Sequence, residues 1–254
     1  MSNQVGIEVC VDSLQSCLEA VKGGAIRLEL CSALFLGGLT PSYGLMKIVK
    51  QKLPDFQINV MIRPRDGDFL YSDEEIEIMK HEIDIAKSLN FNGVVFGVLN
   101  ANGTINKETT KMLIEYSNPL SVTFHRAIDM CRDYKEAMND LISVGGIDRV
   151  LTSGLESSVM EGIDTIIEMI KMVNNAGSKM IIMPGGGVTE RNINKIVKTL
   201  NIKEIHLSGR IKLDSSMQFR NTRVFMGGEL RQSEYQLAYV DQNKIKSFQS
   251  AANQ

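Results

Sequence analysis

Two short segments of the chain end alike, in Glu8-Val9-Cys10 and Glu29-Leu30-Cys31, each setting a carboxylate and a thiol two residues apart. Side chains alternate across a β-strand with period two, so each acid shares a face with its thiol. Strands consecutive in sequence are usually neighbours in space, which would bring two carboxylates and two thiols together. Paired thiolates suit a soft cation, and Cu(I) accepts low coordination by sulfur. A structural zinc site wants four ligands, which this chain does not assemble around Cys10 and Cys31. The competing reading, two buried cysteines acting as small hydrophobes, stays open.

Other segments leave apolar runs through polar groups. Met61-Ile62-Arg63-Pro64-Arg65 puts Arg63 and Arg65 on one face if the chain stays extended past Pro64, a fork suited to phosphate or carboxylate. Phe124-His125-Arg126, with Asp129 close behind, offers an imidazole for acid–base work and a further cation. Gly185-Gly186-Gly187, with Thr189 expected to cap the next helix, could bring backbone amides close to an anion. Ser208 and Arg210 stand in the following loop. Glycine runs also make plain tight turns. The bland alternative for the charges is that Glu8 and Glu29 form structural ion pairs with Arg63 and Arg126. Because buried charge is costly unless paired, a cluster of such groups at one end of a fold points more to a site than to filler. A lone His206 reads as a satisfied core residue, His81 as a surface residue, Cys17 as core and Cys131 as an incidental third sulfur.

The elements that would carry these groups are apolar runs at 5–10, 26–30, 58–62, 93–98, 120–124, 148–151, 180–183 and 203–207, separated by helical patterns. Eight strands in βα alternation predict an α/β fold, a (β/α)8 TIM-like barrel, whose strand C-termini carry the chemistry. Asp12 or Ser13 opens a helix ending at Gly23-Gly24, and Ser72 with Glu75 forms a capping box ahead of the helix bearing His81. The last unit is irregular: 209–240 holds polar turns, including Gly227-Gly228, before a final helix from about Asp241. No linker divides the chain, so 1–254 is expected to be one domain.

At 254 residues and 43% hydrophobic content the chain can bury a barrel-sized core. A net charge of −2 gives no basic footprint, which argues against nucleic acid or an acidic membrane surface as the main partner and favours a small ligand. No run approaches the roughly 20 apolar residues of a membrane span. Four cysteines in a chain this long are not a disulfide framework. A cytoplasmic protein is expected.

The segments EVCVDS from Glu8, ELCSA from Glu29, GGLTPS from Gly37, MIRPRDGDFLYSDEE from Met61, VTFHRAIDM from Val122, VLTSG from Val150 and MPGGGVTE from Met183 together resemble the CutC family of copper homeostasis proteins. The resemblance implies a cytoplasmic TIM-like barrel, commonly a homo-oligomer (dimer or tetramer), with Cu(I) bound at cysteines matching Cys10 and Cys31. Three functions follow as expectations. The first is copper handling through those thiols. The second is an enzyme acting on a small anionic or phosphorylated metabolite, held by Arg63, Arg65 and the Gly185–Gly187 loop, with Glu8, Glu29 and His125 moving protons. The third is an oligomeric scaffold using the 209–240 insert as its contact surface.

Overall fold

The computed structural model describes residues 4–226 and 233–253; Gly227-Gly228 of the expected insert lie outside the described residues. Eight strands form one parallel sheet: β1 (Gly6–Val11), β2 (Arg27–Leu30), β3 (Ile58–Met61), β4 (Gly93–Phe96), β5 (Ser121–Phe124), β6 (Arg149–Thr152), β7 (Ile181–Pro184) and β8 (Glu204–Leu207). Their spatial order is β7-β6-β5-β4-β3-β2-β1-β8, and a parallel bridge between Gly185 and His206 brings the two ends together. This is the barrel expected from the sequence. Seven helices lie between the strands: α1 (Leu14–Lys22), α2 (Tyr43–Lys52), α3 (Asp73–Ser88), α4 (Lys107–Ser117), α5 (Tyr134–Val144), α6 (Ile163–Asn175) and α7 (Ile193–Leu200). After β8 an antiparallel pair, β9 (Arg210–Asp214) and β10 (Gln236–Val240), precedes α8 (Gln242–Ala252).

The helix ends follow local chemistry. The Ser13 hydroxyl accepts from the Ser16 amide at 3.1 Å, and Ser72 and Glu75 satisfy each other's amides at 3.3 and 2.8 Å in the expected capping box. The expectation for Thr189 is corrected. Helix α7 begins only at Ile193, and the Thr189 amide instead donates to the Asn192 side chain at 2.7 Å.

The strands divide two environments. Outward residues such as Ile7, Val9, Leu28, Leu30, Val60, Val94 and Phe124 are buried against the helices in one continuous apolar core, which also takes Cys17. The inward positions carry an unusual set for a barrel interior, where branched aliphatics commonly dominate. Gly6, Glu8 and Cys10 alternate with the outward residues of β1, as Arg27 and Glu29 do in β2, Glu204 and His206 in β8, and Arg149 in β6. A charged interior needs internal pairing, and that pairing builds the site.

Candidate functional site

The floor of the barrel is a chain of ion pairs. Glu8 is fully buried and accepts from Arg27 Nε and pairs with His206 Nδ1 at 2.8 Å. Arg27 Nη2 donates to Glu204 at 2.5 Å, and Glu204 also accepts from Arg149 Nε at 2.8 Å. The sheet register explains this set: Glu8 lies level with Arg27 on β2 and with His206 on β8. Arg63 and Arg126 are not the partners of Glu8 and Glu29. Arg27 and His206 take that role for Glu8, because both arginines stand higher, beyond the strand ends.

Glu29 sits beside this chain without an ion pair of its own. One carboxylate oxygen from each of Glu8 and Glu29 and a ring nitrogen of His206 lie within 4.8 Å of one another. Burial would raise the Glu8 pKa, but the hydrogen bond from His206 and the Arg27 charge outweigh it and hold the carboxyl at about 2. Glu29 is held less firmly: burial pushes its pKa up, the His206 charge pulls against it, and the charge of Glu8 adds to the rise. Its Oε2 is buried without a partner, and its Oε1 meets only the Cys31 thiol at 3.5 Å. His206 moves the other way from a buried imidazole. Burial alone would lower its pKa, but the Glu29 charge, the Cys10 sulfur and the hydrogen bond with Glu8 drive it well above its ordinary value. The arrangement holds a proton on an imidazole between two carboxylates of unequal basicity, which suits proton transfer.

Above this floor opens a cavity of about 860 Å³ whose wall includes Cys10, Glu29, Arg63, Phe69, His125, Arg126, Asp129, His206, Ser208 and Arg210. This volume falls in the range of small-molecule sites. His125 is 4% exposed, its Nδ1 accepts from the Ala127 amide at 3.2 Å, and its Nε2 has no partner. Burial and then the charge of Arg63 lower its pKa to about 3, so the ring is neutral. The Nδ1 acceptor assigns the proton to Nε2.

The other sequence-predicted residues divide by what they already bind. Arg63 is buried and donates to the carbonyls of Leu36, Gly38 and Gly67 at 2.9, 3.1 and 2.9 Å, tying the loops after β2 and β3 together. Arg65 does not share its face. The chain bends after Pro64, and Arg65 donates to Glu75, Asp68 and the carbonyls of Asp66, Asp68 and Leu70, away from the cavity wall. Asp129 accepts from Thr152 Oγ1 at 2.5 Å, from the amides of Ser153 and Leu155, and from Arg126 Nε at 2.7 Å. It braces the rim with lone pairs already engaged. Arg126 also donates to Ser153 Oγ at 2.7 Å and stays 44% exposed at the cavity mouth. Arg210 lies opposite Asp12, with 3.7 Å between charged atoms.

The glycine run is explained by packing. A Cβ on Gly185 would stand 2.6 Å from Leu151 Cδ1 and 3.0 Å from His206 Cβ, at the seam where the barrel closes. Gly186 and Gly187 have φ of +108° and +70°, which side chains disfavour, and neither faces the cavity.

The thiols are staggered. Cys10 lies level with Glu29 and not with Cys31. Cys31 therefore stands on the next diagonal, roughly 7–8 Å away by ordinary sheet geometry. Cys10 lines the cavity, with its thiol 3.7 Å from the Leu207 carbonyl. Cys31 is fully buried beside Met61 and Val95, and burial, then the Glu29 charge, push its thiol well above the usual range. Cys131 meets the Ala127 carbonyl at 3.8 Å and is not a third ligand on the wall. Arg27, Arg149 and Glu204 are the residues of this network that sequence reasoning missed, and His206, read from the sequence as a satisfied core residue, is buried and paired with Glu8 within it. The signal was period two itself, since Arg27 precedes Glu29, and Glu204 precedes His206, by two residues each.

A parallel barrel with a buried charge network at its floor and a ligand-sized cavity toward the strand C-termini defines a TIM-barrel protein. Residues 5–211 match the CutC family model, and the chain belongs to this family. A protein of Dictyostelium discoideum named as a copper homeostasis protein cutC homolog is 55% identical, covering 100% of this chain and 99% of that protein. The human protein of the same name is 46% identical, covering 97% of this chain and 88% of that protein. The crystal structure of a Streptococcus agalactiae protein described as a putative copper homeostasis protein CutC superposes with a TM-score of 0.73 at 34% identity, over 80% of this chain and 97% of that one. A thiamine phosphate pyrophosphorylase from Pyrococcus furiosus, 14% identical with a TM-score of 0.58 over 99% of this chain and 96% of that one, shares the fold alone.

Proposed function

We propose that this protein handles copper by binding Cu(I) as cargo through Cys10 and Cys31. The observation that carries this reading is the placement of Cys10 on the cavity wall with a second thiol one diagonal away, just past the end of the adjacent strand. Soft sulfur donors select Cu(I), and deprotonation of Cys31 would accompany metal entry because burial holds its thiol protonated. All four cysteines are unpaired, consistent with work in the cytoplasm, and no helix among the described residues is long and apolar enough to cross a membrane. Exposed Leu213, Met217, Phe219 and Leu237 on and around the β9–β10 pair support assembly with further copies of the chain. The decisive measurement is an anaerobic Cu(I) competition titration of the wild type beside Cys10→Ser/Cys31→Ser. One tightly bound ion lost in the variant is expected; unchanged affinity in the variant would refute the ligand assignment.

A second reading is favoured by Glu29 in the cavity wall, whose Oε2 has no hydrogen-bond partner: proton transfer on a small organic anion, with Glu29 as base, His206 as acid and Glu8 orienting His206. Arg63 and His125 would shape the wall and Arg126 and Arg210 the cationic rim. Asp129, Ser208 and the Gly185–Gly187 turn support these groups. Solvent deuterium incorporation into a panel of small organic acids, followed by NMR, tests it. Incorporation that disappears in Glu29→Gln is expected, and none in any acid would rule it out.

A further inference from the structure

Of the four cysteines only Cys10 reaches the cavity wall, where it is 9% exposed, and His206 lines the same wall at 8%. The closure of β8 against β1 brings the two together. Glu8 lies level with His206, and Cys10 follows Glu8 by two residues on the same inward face, with its sulfur 3.7 Å from the Leu207 carbonyl. The two ring nitrogens of His206 are thereby divided between partners. Nδ1 is 2.8 Å from Glu8 Oε1, which leaves Nε2 for the Cys10 sulfur, to which the ring is hydrogen-bonded. Glu8 is fully buried and also paired with Arg27, so the carboxylate fixes the orientation of the ring. A stabilising role accounts for the Glu8, Arg27, Glu204 and Arg149 ion pairs, but not for a thiol set against the open side of the imidazole. A cysteine hydrogen-bonded to an imidazole whose other nitrogen is held by a third group is the arrangement that activates sulfur for attack.

We infer that Cys10 is a covalent nucleophile, with His206 as its proton partner and Glu8 as the positioning residue, and that the cavity takes an apolar carboxylic acid activated as an ester or thioester. The class of acyl group follows from the wall above the thiol, which includes Leu34, Leu36, Met61, Phe69, Leu99 and Leu151. In the first step the Cys10 sulfur bonds to the acyl carbonyl carbon. The bond from that carbon to its leaving oxygen or sulfur breaks with its electron pair. The proton that Cys10 and His206 share passes from Nε2 to the leaving atom. In the second step water attacks the Cys10 thioester, the carbon–sulfur bond breaks, the carboxylic acid leaves, and one water proton returns to the Cys10–His206 pair. The inference uses the His206–Glu8 pair of the second reading but not its substrate, and it is independent of Cu(I) binding.

The test mixes the metal-free full chain with p-nitrophenyl hexanoate, follows nitrophenol release by absorbance, and locates the acyl group by mass spectrometry after quenching at short times. Acylation of Cys10 is expected to outpace that of the free thiol N-acetylcysteine by roughly a hundredfold, the low end of what a positioned proton partner contributes. Cys10→Ser should abolish the thioester, and His206→Gln should slow its formation by a similar factor. Glu8→Gln should slow it less and move the NMR signal of His206 Nδ1, which a purely structural role for Glu8 in another part of the floor would leave in place. The hexanoyl ester should react faster than the acetyl ester; equal rates would overturn the apolar acyl class. Acylation of the wild type no faster than that of N-acetylcysteine, or acyl found on another cysteine, would overturn the nucleophile itself, and that comparison does not depend on how any variant folds. Because the assay contains no metal, neither result bears on the Cu(I) titration, and the two readings fail separately.

Discussion

Arg27→Met tests whether the buried charge chain organises the barrel floor. Arg27 joins Glu8 to Glu204, and its loss strands a fully buried carboxylate. Removing one partner of a buried pair typically costs about 3–5 kcal/mol. Glu8 keeps His206 and Glu204 keeps Arg149, which places the expected cost at the low end. Linkage gives the same size: a Glu8 pKa moved from 4.5 to about 2 corresponds to roughly 3 kcal/mol at neutral pH, shared between His206 and Arg27. For a domain of this length that is a melting temperature lower by about 6–12 °C. Adding Glu8→Gln removes the stranded charge, so the double variant should recover most of the loss in urea unfolding, and the cycle yields the coupling. The pH dependence has a definite sign. A depressed carboxyl contributes stability that is present above 4.5 and fades as pH falls toward 2 in the wild type. In Arg27→Met the Glu8 pKa rises, so the gap between the two proteins should narrow on acidification below pH 5. A loss under about 1 kcal/mol at neutral pH, or a gap that widens in acid, would refute the buried-network account.

Gly185→Ala should loosen the closing seam, because its Cβ meets Leu151 and His206 at 2.6 and 3.0 Å; a loss of about 1–3 kcal/mol is expected from overpacking, and an unchanged denaturation midpoint would show that the seam has room. The His125 ring should show no protonation in NMR spectra between pH 8 and 5. Its folded pKa of about 3 lies below the unfolded value of 6.5, so it adds stability that is present above 6.5 and lost as pH falls through that window; a midpoint near 6.5 in the folded protein would contradict its burial. A thiol reagent added to native protein should label Cys10 before Cys17, Cys31 and Cys131, whose thiols are all raised by burial. Mass spectrometry showing Cys31 labelled first would reverse the exposure argument.

What the sequence determined by itself was the part governed by short range. Eight apolar runs, the Ser13 and Ser72 caps and the period-two pairing of Glu8 with Cys10 and Glu29 with Cys31 are set within a few residues, and each is found in place. The family resemblance drew on the same local segments. The composition of the site was decided by two long-range features. Barrel stagger placed Cys10 level with Glu29 and moved Cys31 up a diagonal, a shift that alternation within one strand cannot reveal. Barrel closure set β8 against β1 and so made His206, 198 residues from Glu8 in sequence, its hydrogen-bond partner. The bend after Pro64 turned Arg65 out to Glu75 and Asp68 because a loop has no ladder to keep side chains alternating. Local pattern fixes which residues face inward, whereas register and closure depend on how all eight strands pack at once, and only the folded barrel supplies them.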